Sequence, residues 1–204
     1  MSHGAAPPHA GFGPEMRIDW IEPDALVPAA PGRLGLTFLP GKRGASFRYP
    51  GHTYRRDTAE DLAAMRAAGV VLLVLLVEDR ELASWGDPAI VEIGSRAGLE
   101  VARHPMADGS APAALTDMDR ILDQIEAARG RGDVVVACMG GVGRTGTVAA
   151  CALVRAGRSA REAIDAVRLL RHPTAVETPA QEQFVSRYAA RRGTGEPAQG
   201  GPEA

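Results

Sequence analysis

Val134-Val135-Val136-Ala137-Cys138-Met139-Gly140-Gly141-Val142-Gly143-Arg144-Thr145-Gly146 is the stretch on which the reading of this chain turns. Its three β-branched residues read as a buried strand, its glycines as a tight loop, and the residues from Thr145 on as an opening helix. Cys138 stands at the strand's exit, and Arg144 follows it with five residues between. Three of those five are glycine, so the backbone is free to curl into a cup with its N–H groups inward. A helix N-terminus adds partial positive charge, and the cup is expected to hold a dianion. Arg144 has the planar fork to clamp two of that anion's oxygens. The same positive field is expected to favour the thiolate, the nucleophilic form of a cysteine.

Cys-x5-Arg-Thr in this setting resembles the signature loop of the cysteine-dependent protein tyrosine and dual-specificity phosphatases. The resemblance implies that Met139, Gly140, Gly141, Val142, Gly143 and Arg144 bind the phosphate and that Cys138 attacks it. One departure is Ala137, where that family usually carries histidine. Two other motifs compete for this stretch. Gly141-Val142-Gly143-Arg144-Thr145-Gly146 also spells a dinucleotide fingerprint, but that motif needs a second strand ending in an acidic residue about 20 positions on. Here the downstream chain reads as helix, with Asp165 in its middle, so the fingerprint is rejected. A Walker loop fails for want of Gly-Lys-Ser/Thr. A lone buried cysteine is more often core than nucleophile. The arginine, the glycines and the helix in register decide for chemistry.

At 204 residues the chain has length for one domain with a substantial core. A net charge of −2 offers no general attraction to nucleic acid or membrane. Residues 1–8 contain no apolar run and do not read as a signal peptide, and the apolar run Val70 to Val77 is far too short to cross a bilayer. Two cysteines without a spaced framework imply a reducing, cytoplasmic setting, with Cys151 as core. No His/Asp/Glu cluster has ligand spacing, so neither metal nor other cofactor is expected.

Residues 1–15 are rich in Pro, Gly and Ala and are expected to be disordered, as is the Gly/Pro/Glu/Gln tail 193–204, leaving a domain over 16–192. Short strands are expected near Ile18–Ile21 and Leu34–Leu39. The stretch Gly41 to Arg56 carries Lys42, Arg43, Arg48, Arg55 and Arg56 interleaved with Phe47, Tyr49 and Tyr54. It reads as a solvated loop, or alternatively as a rim attracting an acidic substrate. Asp57-Thr58-Ala59-Glu60 has capping-box spacing and starts a helix ending at Gly69. The strand Val70 to Val77 follows, then an irregular piece through Trp85. Asp87-Pro88 is expected to open a second helix with proline at its first position, ending near Gly98. Leu99 to Arg103 reads as a strand. Thr116 to Arg129 reads as a helix with Met118, Ile121, Leu122 and Ile125 on one face. Beyond the signature loop the chain is helical: Thr145 to Ala156, a helix capped by Ser159 ending at Leu170, and one from Thr178 to about Arg191. Such alternation predicts an α/β fold, a mostly parallel sheet of about five strands flanked by helices.

Attack on a phosphate ester leaves an oxygen that needs a proton, and a carboxylic acid on a mobile loop is the usual donor. Asp108, in the loop after the strand Leu99 to Arg103, is the candidate, since loops at the C-terminal edge of a parallel sheet converge. An Asx turn is the plainer role for it. Pro105-x-Ala107-Asp108-Gly109-x-x-Pro112 and Leu36-x-x-Leu39-Pro40-Gly41-Lys42 resemble the kinase-associated phosphatase branch, and the likeness spans about residues 34–190. It implies that Thr145 bonds the departing sulfur. Glu177-Thr178-Pro179-Ala180-Gln181 is the counterpart of the family's Gln-Thr-x-x-Gln, in which Gln181 would place the hydrolytic water. Thr178 and Gln181 equally make a capping box. The loop interior has no lysine, unlike phosphoinositide phosphatases, so a phosphorylated protein or peptide is the expected partner. The alternative is a catalytically weak or dead phosphopeptide-binding module on the same fold.

Overall fold

The computed structural model describes residues 15–46 and 49–193. The greater part of both tails, with the disorder expected there, and Phe47 and Arg48 lie outside the described residues. Five strands form the main sheet: β1 (Asp19–Ile21), β2 (Leu34–Phe38), β5 (Val70–Leu75), β6 (Glu100–Arg103) and β7 (Asp133–Cys138). Their order is β1-β2-β7-β5-β6, with β1 antiparallel to β2 and the other pairs parallel. β3 (Arg43–Ala45) and β4 (Thr53–Arg55) make a separate antiparallel hairpin. Among the described residues there are seven α-helices: α1 (Thr58–Ala67), α2 (Asp79–Trp85), α3 (Ile90–Arg96), α4 (Leu115–Arg129), α5 (Gly143–Arg155), α6 (Ala160–Leu170) and α7 (Pro179–Arg191). None of these helices is long and apolar enough to cross a membrane. The mostly parallel α/β sheet read from the sequence is the fold observed.

The centre of the sheet is β7, paired to β2 on one side and β5 on the other, with Phe38 opposite Cys138 and Leu75 opposite Ala137. Its valines, like the apolar run of β5, are fully buried because helices cover both faces. α5 packs against α6 and α7, and every residue from Gly143 to Val154 is buried, as an all-round apolar helix requires. Met118, Ile121, Leu122 and Ile125 of α4 all face the core. Asp165 lies within α6, so no second nucleotide-binding strand follows the glycine loop.

Three elements differ from the sequence reading. The piece through Trp85, expected to be irregular, is the two-turn helix α2, whose Glu81 carboxylate accepts from the Glu78 amide at 2.9 Å. Seven residues are too few for periodicity to declare a helix. The next helix begins at Ile90, not at Pro88: Asp87 accepts from the Ala89 amide and closes a turn, which delays the helix by two residues. The basic stretch folds as the β3–β4 hairpin. Arg56 is buried against Asp61 with contacts of 2.6 and 2.9 Å, and Asp61 also accepts from the Gly41 amide at 2.8 Å. Lys42 is buried too, so two of the expected surface cations are internal.

Candidate active site

Parallel strands bring their C-terminal ends to one edge, and four connections meet there. β7 delivers Cys138 and the loop 139–142, β5 leads to α2, β6 leads to the segment with Asp108, and β2 leads to Lys42. Cys138 is a free thiol, 3% exposed. Cys151 is also free but wholly buried in α5, and burial pushes its thiol up, beyond ready ionisation.

The loop's geometry requires glycine at position 141. Gly141 has φ 67°, and a Cβ there would stand 2.3 Å from the Thr37 carbonyl oxygen. At Gly143 a Cβ would meet only the movable ends of side chains, the nearest being Glu177 Oε2 at 2.6 Å. The amides of Met139 to Gly143 donate to no acceptor among the described residues, while α5 begins at Gly143. Unpaired N–H groups beside a helix N-terminus are a built anion cradle.

Arg144 is 1% exposed, and its partners leave one donor over. Nη1 donates to Glu81 Oε2 at 2.7 Å and to the Met106 carbonyl at 3.0 Å. Nη2 donates to Glu81 Oε1 at 2.7 Å and to Asp108 Oδ1 at 2.9 Å. Nε is buried with no partner, and so is Thr145 Oγ1, the next residue's hydroxyl. Burial opposes the arginine's charge, but the hydrogen bonds it donates to Glu81 and the acidic groups around it outweigh that and raise its pKa. For Glu81, burial likewise favours the neutral form, and the bonds from Arg144 and the Glu78 amide more than offset it, so the carboxyl is held below its ordinary range.

Asp108 makes no Asx turn; its carboxylate reaches across to Arg144. Its segment turns between Ala107 and Ser110, whose amide donates to the Ala107 carbonyl at 3.1 Å, and Gly109 takes φ 72° at the third position. α7 then holds the turn. Thr178 Oγ1 donates to the Gly109 carbonyl at 2.8 Å, and Gln181 Nε2 donates to the Ser110 carbonyl at 2.9 Å. Thr178 Oγ1 accepts from the Gln181 amide at 3.2 Å, and Gln181 Oε1 accepts from the Thr178 amide at 3.4 Å and the Glu177 amide at 2.8 Å. The capping box is thus formed, and the same two side chains tie the acidic segment to the helix.

A cleft of about 500 Å³ opens over the loop, with Phe38, Tyr54, Trp85, Lys42 and Arg80 in its walls and Asp108 at its edge. Lys42 Nζ donates to the Met139 carbonyl at 3.1 Å and lies 4.0 Å from the Tyr54 ring centroid. A larger cleft of about 660 Å³ lies between β4 and α1, with no residue of the loop 139–142 in its lining.

Glu81 is the site residue that the sequence reading missed. Its only local sign was the Glu78-x-x-Glu81 spacing of a helix start, which says nothing about a partner 63 residues away. Glu81→Gln replaces one acceptor oxygen with a donor facing Arg144, and kcat/KM is expected to fall about 10–100-fold. A folded pKa below the unfolded one means the carboxylate's stabilisation is complete above the ordinary carboxyl range and is lost as pH falls through the folded value. Urea midpoints should therefore separate wild type from Glu81→Gln at neutral pH, and the gap should close progressively below about pH 4.

The family described as "Polymorphic toxin system, DSP-PTPase phosphatase" matches residues 50–158, and the chain belongs to it: a phosphatase of the dual-specificity and tyrosine phosphatase superfamily. Among individual proteins, cyclin-dependent kinase inhibitor 3 of Homo sapiens is 26% identical over 157 residues, 76% of this chain and 71% of the relative. The structure of Tk-PTP in its active form is 31% identical, covers 81% of this chain and 99% of its own, and superposes with a TM-score of 0.63. Kinase-associated phosphatase, solved with its catalytic-site cysteine replaced by serine, shares the fold at a TM-score of 0.75 and 24% identity, covering 86% of this chain and 95% of that one.

Proposed function

We propose that this chain is a cysteine-dependent phosphoprotein phosphatase that hydrolyses phosphotyrosine monoesters, and phosphoserine and phosphothreonine monoesters by the same route, through a phosphocysteine intermediate. The observation that carries the reading is the pair of buried, unpartnered groups beside Cys138: Arg144 Nε and Thr145 Oγ1. A buried polar atom left without a partner costs stability unless a ligand or an ordered water satisfies it.

On a guanidinium, Nε and Nη2 form one edge, suited to two oxygens of a phosphoryl group. Nε awaits a partner there, and Nη2 carries Asp108. An arriving dianion takes both positions and releases the Asp108 carboxyl at the mouth of the cup. The freed Asp108 carboxylate takes up a proton from solvent. Cys138 Sγ, as the thiolate, then attacks phosphorus, the ester P–O bond breaks, and Asp108 passes that proton to the leaving oxygen. Water next attacks the phosphocysteine, its proton passing to the Asp108 carboxylate, while the Thr145 hydroxyl donates to the departing sulfur. Gln181 Nε2 has a second N–H beyond the bond to Ser110, with which to orient that water.

The aromatic walls of the cleft, Tyr54 and Trp85, suit an aryl phosphate and support phosphotyrosine as the favoured group. A relative named kinase-associated phosphatase supports a phosphorylated protein as partner. We place the catalytic domain at 16–192, in a reducing cytoplasm that keeps Cys138 and Cys151 free.

Purified protein is expected to hydrolyse para-nitrophenyl phosphate fully in excess chelator, and a phosphotyrosyl peptide faster than its phosphoseryl counterpart. Phosphopeptide binding without turnover would overturn this reading in favour of a binding module. Activity abolished by chelator and restored by metal would overturn the mechanism.

A further inference from the structure

The cup's amides face inward only if its carbonyls are held outward, since the C=O and N–H of one trans peptide point in opposite directions. Ala137, the residue before the nucleophile, has no side-chain donor to offer. The donors come instead from elements remote in sequence. Arg171, at the end of α6 and 1% exposed, donates from Nε to the Gly141 carbonyl at 2.9 Å and from Nη2 to the Gly140 carbonyl at 3.4 Å. Its Nη1 is clamped by Asp19 Oδ2 at 2.6 Å, on the edge strand β1. The neighbouring carbonyls have other partners: Met139 accepts from Lys42 at 3.1 Å, and Val142 accepts from the Val176 amide at 3.3 Å.

We propose that Arg171, clamped by Asp19, is a positioning residue that sets the phosphate-binding loop by fixing the Gly140 and Gly141 carbonyls, and with them the inward amides of Gly141 and Val142. This rests on the reading of the loop as a phosphate cradle and adds to it the group that shapes the cradle. The peptide plane of each bonded carbonyl carries the next residue's N–H, so two of the cup's donors are aimed by one guanidinium. A charged donor also polarises those peptides, strengthening the N–H groups toward an anion. Nothing in the spacing of Asp19 and Arg171 signals this; they lie 152 residues apart.

The test uses the full chain and three variants, Arg171→Ala, Arg171→Lys and Asp19→Asn. Inorganic phosphate is the probe, read both as a competitive inhibitor and by direct calorimetric titration. In Arg171→Ala the phosphate inhibition constant should rise about 10–100-fold and kcat/KM should fall by a similar factor, the scale of losing a side chain that orients the groups in direct contact. Free guanidinium should restore part of both, and Arg171→Lys, which keeps one charged donor, should lie between. Asp19→Asn should show the same pattern more weakly. Arg17 also donates to Asp19, at 2.7 Å, so the Asp19 carboxylate stays paired in Arg171→Ala and that variant is expected to fold. A merely structural role would lower the melting temperature and leave phosphate affinity unchanged well below it; that result in Arg171→Ala overturns the proposal. Should that variant not fold, unchanged phosphate affinity in folded Arg171→Lys and Asp19→Asn overturns it equally. Wild type that binds phosphate but hydrolyses no ester would defeat the phosphatase reading alone, because the calorimetric comparison still reads Arg171.

Discussion

Cys138→Ser is expected to reduce turnover of para-nitrophenyl phosphate on the order of 10⁶-fold, the scale of removing a covalent nucleophile. The substitution is nearly isosteric at a site only 3% exposed, so packing survives and the loss is chemical. A serine hydroxyl is a weak nucleophile at neutral pH, whereas a thiol is intrinsically nucleophilic and ionises far more readily. The cradle stays intact in the variant, since its donors are backbone amides and Arg144. Phosphate affinity should therefore change little while turnover disappears. Rapid acid quench of wild type during turnover of a slow substrate should trap phosphate on Cys138, and the serine variant should trap none. Turnover surviving Cys138→Ser would sink the mechanism.

Asp108→Asn is expected to slow hydrolysis of poor leaving groups by about 10²–10⁴-fold, the range of a general acid. An aryl oxide as good as para-nitrophenolate needs little protonation, so the loss on para-nitrophenyl phosphate should be smaller than on an alkyl phosphate. The contact with Arg144 Nη2 adds a second signature. The carboxylate competes with the incoming dianion for that nitrogen, and asparagine competes less. Inhibition by inorganic phosphate should thus stay as strong as in wild type or become stronger, even as kcat falls. Equal losses on alkyl and aryl phosphates, with weakened phosphate binding, would instead mark Asp108 as structural. The exposure of its side chain, 79%, is consistent with a group that must exchange one partner for another.

What was legible along the chain was what is encoded within short range. The glycines of 140–143 between a valine strand and an apolar helix announced the cup, because a tight loop demands residues without a Cβ. The close approach of Gly141 to the Thr37 carbonyl shows the demand was real. The caps at Asp57, Ser159 and Thr178 were legible for the same reason: each satisfies amides two or three residues on. The parallel sheet followed from alternation, and the parallel sheet in turn put the Asp108 segment at the edge where Cys138 lies.

What only the tertiary structure decided were the charges that serve the cup from a distance. Short α2 gave no periodic signal, and its Glu81 became a site residue only when β5 and β7 paired and set it against Arg144. Arg56 and Lys42 looked like surface cations until the hairpin buried one on Asp61 and the other over Tyr54. Arg171 follows the end of α6 and drew no sequence reading, and folding set it against the loop carbonyls together with Asp19 from the opposite end of the chain. A charged side chain reads alike in sequence whether it meets water or a buried partner. Its role is set by which elements the sheet order brings together, and that order is a property of packing rather than of any local stretch of residues.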